Sequence, residues 1–95
     1  MYPNKLKLSG ESANVSREDI LNDFTRILRD LLGDESITLA METKREDVGG
    51  WDSFNYVNFI AAVEIELGVR FKVAEVESFE NVGAIVTQTM KSLGR

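Results

Sequence analysis

The chain has no cysteine and no histidine among its 95 residues. It therefore cannot form a Cys/His zinc site or a disulfide framework, and it has neither a Cys nucleophile nor a Ser-His triad. Any chemistry it takes part in needs a reactive group from elsewhere. Proline occurs once, at Pro3. No apolar run approaches the ~18 residues of a membrane span, and the N-terminus lacks the apolar core of a signal peptide. No membrane span is expected, and the cytoplasm is the expected compartment. Positive charge is in deficit, with 11 Lys and Arg against 16 Asp and Glu for a net charge of −5. The first 32 residues are balanced, so the whole acidic excess lies in residues 33–95. Such a surface repels phosphate backbones, which argues against nucleic acid as a partner. It suits docking on basic patches of other proteins.

What is present is ordinary for a small globular domain: 43% hydrophobic and 28% charged residues. A chain of this length supports one core and little else. Residues 1–14 show no sustained period and read as a flexible leader, which leaves 15–95 as the folded domain. Ser16 and Asp19 are spaced as a capping box, with Val15 and Ile20 as the hydrophobic staple around it. Ile20, Leu21, Phe24, Ile27, Leu28, Leu31 and Leu32 then form one apolar stripe, so a helix is expected over about 17–32, ended by Gly33. From Gly33 to Asp52 the period lapses, with Ile37, Leu39, Met41 and Val48 scattered among polar residues. So long a connection is expected either to carry function or to hold a short helical turn. Periodicity returns over 53–67, with Gly68 as C-cap. A short extended link at Val69-Arg70-Phe71, a turn or two of helix over 74–79, and a last amphipathic helix after Asn81 capped by Gly94 complete the pattern. The expected fold class is all-α, a small four-helix bundle of three long helices and one short one.

The helix over 53–67 has two apolar rows. Tyr56, Phe59, Ile60, Val63 and Leu67 form one, and Phe54, Val57, Ala61 and Ile65 a displaced second. Such a helix is either central to the bundle or offers one row to a partner. At its start, Gly49-Gly50-Trp51-Asp52-Ser53-Phe54 puts a serine at the first helical position behind a glycine bend. Helix N-termini favour negative charge, so a phosphoester on Ser53 would lie in a favourable field. Asp52 can cap the helix and can also help hold a metal during phosphoryl transfer to the neighbouring hydroxyl. On the dipeptide alone, Asp52-Ser53 reads as a commonplace N-cap pair and nothing more.

The wider context resembles the acyl carrier protein family over about residues 16–93. The family's Gly-x-Asp-Ser-Leu-like element reads here Gly50-Trp51-Asp52-Ser53-Phe54. The stretch that closes its second helix reads Glu64-Ile65-Glu66-Leu67-Gly68-Val69. The resemblance implies that Ser53 carries a 4′-phosphopantetheine arm, transferred from coenzyme A by a Mg²⁺-dependent phosphopantetheinyl transferase. The arm's thiol would hold acyl groups as thioesters, so the protein would be a substrate handle and not an enzyme. Asp52 would orient the serine or help the transferase's metal. Phe54, Val57, Ala61 and Glu64 would be partner-docking positions. Phe59, Ile60, Val63 and Leu67 would be core and line the cleft for the acyl chain. The implied partners are the transferase and acyl-loading or acyl-transferring enzymes (synthase, ligase or acyltransferase), met by a monomer.

The chain also departs from the family pattern. Asn55, Asn58 and Ile65 stand where acid is common, leaving Asp52, Glu64 and Glu66, which should lower steered on-rates to generic basic docking sites. This suggests a specialised carrier for a dedicated fatty-acid, polyketide or lipid-modification pathway. Phe54 replaces the usual Leu or Met, and Trp51 stands where small residues are frequent, either packing over the loop or shielding the arm. Gly49-Gly50 keeps open an aminoacyl or peptidyl carrier using the same serine. A helical interaction module without prosthetic group is a further alternative. An enzyme built on Glu64 and Glu66 is poorly supported, because residues two apart point to different helix faces. An EF-hand lacks its ligand pattern. The cluster Glu42, Lys44, Arg45, Glu46 and Asp47 reads as solvated surface or as a contact for the transferase.

Overall fold

The computed structural model describes residues 15–94; the expected leader at 1–14 lies outside the described residues. Four α-helices follow one another: α1 (Arg17–Leu32), α2 (Ser53–Leu67), α3 (Val73–Ser78) and α4 (Val82–Ser92), with a 3-10 turn at Arg45–Asp47. The described residues include no strand, as expected for a four-helix bundle. α1 starts where local chemistry places it. Ser16 Oγ accepts the Asp19 N–H and an Asp19 carboxylate oxygen accepts the Ser16 N–H, each at 3.1 Å. Such a reciprocal cap is worth about 1 kcal/mol. Gly33 ends the helix in the left-handed region, at φ 65°, where a side chain would be strained.

α1 packs against both α2 and α4. Ile20, Phe24, Ile27 and Leu28 of α1 meet Phe59, Ile60 and Val63 of α2 and Val82, Ile85 and Val86 of α4 in one core. The rings of Phe24 and Phe59 lie edge-to-face with centroids 5.4 Å apart. This geometry sets the positive ring edge against the negative face and adds about 1 kcal/mol to the burial itself. At the surface, Arg26 of α1 reaches Glu66 of α2 at 2.8 Å, and Arg17 donates to Thr87 Oγ1 of α4 at 3.0 Å. Both contacts are exposed, so they contribute little beside the core.

The connection over 33–52 is ordered by contacts that its sequence pattern does not display. Ile37, Leu39 and Trp51 are buried in the core. Arg29 Nε donates to the Ile37 carbonyl at 2.7 Å, tying the loop to α1. Asp34 accepts from the Ser36 hydroxyl and N–H, which holds its carboxyl below the usual carboxylate range. Further on, two backbone bonds join the loop to the first turn of α4. Val82 N–H donates to the Thr43 carbonyl at 2.8 Å and Gly83 N–H to the Met41 carbonyl at 2.6 Å. They satisfy donors that a helix start leaves without intrahelical partners.

Two boundaries differ slightly from expectation. α3 begins at Val73 and ends at Ser78, because the Glu75 carboxylate accepts the Lys72 N–H at 2.8 Å and so starts the helix one residue early. α4 ends at Ser92, with Leu93 already outside helical geometry and Gly94 at φ 83°. α3 is held to α2 by the Tyr56 hydroxyl, which donates to the Val76 carbonyl at 2.6 Å. Phe71 and Phe79, flanking α3, meet edge-to-face at 5.6 Å.

Two substitutions test this arrangement. A Cβ on Gly83 would lie 2.8 Å from the Met41 carbonyl oxygen. Gly83→Ala is therefore expected to lose about 1–2 kcal/mol in chemical denaturation, although alanine favours helices by up to about 1 kcal/mol. Gly49→Ala, with nothing within 4 Å, is the control and stays near wild type. Tyr56→Phe removes the bond to Val76 and is expected to lose about 1 kcal/mol. Amide exchange should then accelerate in α3 before it does in α1.

Candidate functional site

Ser53 is the first residue of α2 and is exposed. Anchors on both sides fix it. On the loop side, Gly50 adopts φ 87°, which lets the chain turn sharply between Val48 and Trp51. Trp51 then enters the core, 4% exposed. Its ring lies 5.1 Å from Phe59 and 6.3 Å from Tyr56. Expected over the loop or as a shield for the arm, Trp51 instead packs inside the core. On the helix side, Asp52 Oδ1 accepts the Asn55 N–H at 2.9 Å, and Asn55 Nδ2 returns to the Gly50 carbonyl at 3.0 Å. The serine thus emerges between a buried tryptophan and a closed N-cap.

Arg45 stands beside it. Its Nη1 donates to Ser53 Oγ at 3.3 Å, and its guanidinium carbon lies 5.1 Å from the centroid of the Tyr56 ring. Burial pushes the Tyr56 phenol above its ordinary value, while the Arg45 charge pulls it partly back. No periodicity or motif points to this contact. Arg45 falls in an aperiodic loop eight residues before Ser53, and only the folded course of that loop brings the two together.

A groove of about 960 Å³ opens next to Ser53 between α2, α3 and the start of α4. Along α2 it follows Ser53, Tyr56, Val57, Ile60, Ala61 and Glu64. Those eleven steps correspond to roughly 16 Å of helix. Val76, Phe79 and Ile85 form much of the opposite wall. Of the residues expected to line this cleft, Ile60 does so, but Phe59, Val63 and Leu67 do not. At about 100° per residue, positions 59 and 63 turn to the opposite side of α2, where both are fully buried in the core. Val57 and Ala61, expected as docking residues, border the groove.

The second apolar row of α2 does face solvent: Phe54 is 74%, Val57 61% and Ile65 81% exposed. The three carboxylates near it are all bonded within the chain. Asp52 caps α2, Glu64 Oε2 accepts the Phe71 N–H at 2.9 Å, and Glu66 pairs with Arg26.

These residues fit a phosphoester with a long flexible arm. The hydroxyl is exposed, a cation already touches it, and a groove starts at its side. The groove wall also includes Trp51, whose Nε1 is buried without a hydrogen-bond partner among the described residues. No cluster of three or more acidic side chains suited to a metal occurs among the described residues.

Comparison with known proteins agrees with this geometry. No family model matches the chain. The acyl carrier protein of Thermotoga maritima is 34% identical over 80 residues, covering 84% of this chain and 99% of that protein. The acyl carrier protein of Saccharopolyspora erythraea is 29% identical over 82 residues, covering 85% of each. A solution structure of holo acyl carrier protein from Geobacter metallireducens superposes with a TM-score of 0.74 at 33% identity, covering 80% of this chain and 87% of that one. With its full helical order, its Asp-Ser helix start and a relative matched over almost its entire length, this chain belongs to the acyl carrier protein family and is a carrier, not an enzyme.

Proposed function

We propose that Ser53 is the attachment point for 4′-phosphopantetheine and that the protein carries acyl groups as thioesters on that arm. The observation that carries this reading is an exposed serine hydroxyl opening directly onto an apolar-walled groove, beside a guanidinium. The arm supplies the thiol that a chain without cysteine lacks. Attachment forms an Oγ–P bond and breaks the pyrophosphate link of coenzyme A, releasing 3′,5′-ADP, with the serine proton passing to a base on the transferase. Asp52 keeps the serine at the helix start through its cap, and its second carboxylate oxygen would be available to help hold the transferase's Mg²⁺.

The partners in this reading are the phosphopantetheinyl transferase and the synthase, ligase or acyltransferase that loads and unloads the arm. They dock on Phe54, Val57 and Ala61, with Glu64 at the far end of the row. The internal engagement of Asp52, Glu64 and Glu66 supports a docking face led by apolar contact. It supports in turn a specialised carrier for a dedicated fatty-acid, polyketide or lipid-modification pathway over a general one. In this reading the protein acts as a cytoplasmic monomer; among the described residues no helix is long and apolar enough to cross a membrane.

Intact mass after incubation with coenzyme A, Mg²⁺ and a broad-specificity transferase is the direct test. One added phosphopantetheine on wild type and none on Ser53→Ala is expected; no addition to folded wild type ends the reading. The docking row has its own test. Because both side chains are largely exposed, Phe54→Ala combined with Val57→Ala should change stability by less than about 1 kcal/mol. The same variant should lower the transferase's kcat/KM at least about tenfold, as expected for the loss of central contacts. An unchanged kcat/KM would remove these residues from the interface.

A further inference from the structure

Arg45 is half-buried and makes no ion pair with a carboxylate among the described residues, although acidic side chains surround it in sequence. Asp47 is turned to the Lys44 N–H and Asp52 to the Asn55 N–H. Glu46 lines the same groove without reaching the guanidinium. The cation rests instead on the Tyr56 ring and points Nη1 at Ser53 Oγ. Tyr56 is in turn fixed by its hydroxyl bond to Val76. Stacking uses the face of the planar guanidinium and leaves the edge, with its fork of N–H donors, for an anion.

The 3.3 Å contact to a neutral hydroxyl lies at the long end for a hydrogen bond from nitrogen. A phosphodiester at that oxygen changes the pairing. Its non-bridging oxygens sit on the phosphorus bonded to Oγ, so a donor already at Oγ needs only a small side-chain rotation to reach them. The neutral contact then becomes charge-assisted, with two parallel bonds available to the fork. We propose that Arg45 is the residue that binds the phosphodiester on Ser53, with Tyr56 as the platform that holds its guanidinium in place. The inference rests on Ser53 being the attachment site. Its consequence is directional. Arg45 and Tyr56 line the groove and Phe54 does not, so the root of the arm is held on the groove side of Ser53, away from Phe54.

The test compares apo and holo protein, with loading verified by mass, in wild type, Arg45→Gln and Arg45→Lys. In wild type the Arg45 side-chain N–H resonances are expected to shift on loading, while those of Arg17 and Arg70 do not. The ³¹P resonance of the holo form should differ between wild type and Arg45→Gln, with Arg45→Lys between them. The holo form of wild type should melt roughly 4 °C above apo, a gain that added salt reduces and Arg45→Gln abolishes. A purely structural Arg45 would lower the apo and holo melting temperatures equally and leave the phosphorus signal unmoved. Arg45 resonances indifferent to loading, or one common ³¹P shift in all three proteins, would overturn the proposal. If Arg45→Gln fails to fold or to load, the wild-type arginine spectrum decides alone. Failure of the carrier reading looks different: folded wild type then gains no mass at Ser53, and the proposal falls with it.

Discussion

The site depends on a conflict between two positions that lie two residues apart in the chain. Trp51 must be inside and Ser53 outside, with one residue between them. Burying an indole of this size against Phe59 contributes several kcal/mol to the fold by area. That energy fixes where the chain crosses from core to surface. Asp52, at the crossing, closes the N-cap, and Gly50 supplies the turn that lets the tryptophan enter. The serine is therefore presented by the core and not by a loose loop. The long connection before it is equally bound, through Ile37 and Leu39 in the core and two backbone bonds to α4. The tether proposed for Ser53 would thus start from a rigid root.

Charge is arranged differently from what net composition suggests. The acidic excess of residues 33–95 does not gather as free carboxylate along α2, because the three groups nearest the docking row are each committed within the chain. Glu64 illustrates the exchange. By accepting the Phe71 N–H it satisfies a half-buried donor just after the helix, and it spends there the oxygen that a basic partner would otherwise engage. The exposed apolar side chains Phe54, Val57 and Ile65 then carry more of the character of that face. Arg45 shows the reverse, a cation without a carboxylate partner among the described residues, held next to the Ser53 hydroxyl.

Much of this was legible in the sequence, for local reasons. Ser16 with Asp19, Asp52, Asn81, Gly33 and Gly68 are caps, and caps act within a few residues of themselves, so the ends of α1 and α2 and the start of α4 followed directly. The two rows of α2 were also legible, and the outer row is indeed exposed. Which residues face the groove was not. Periodicity separates the faces of a helix but does not say which neighbour covers each, and Phe59 and Val63 went to α1 while Val57 and Ala61 went to the groove. The anchors of the 33–52 loop were seen only as scattered apolar residues, since a non-repeating segment carries no period to read. Arg45 was hidden for the same reason. Its partner is defined by the loop's path, and that path is set by Trp51 and α4 and not by the residues around Arg45.

The six-residue helix α3 has a consequence of its own. It buries no residue fully, and a helix so short has too few hydrogen bonds to hold its own shape. Its position is borrowed from the Tyr56 hydroxyl and from the rings of Phe71 and Phe79 at its ends. The groove accordingly has one stiff wall, α2, and one compliant wall, α3. Its capacity is then a property of a short helix with no fully buried residue, where small openings cost little. Under the proposed carrier function, chains of different length would be accommodated by moving that wall alone, while Ser53 and the exposed row of α2 keep one shape.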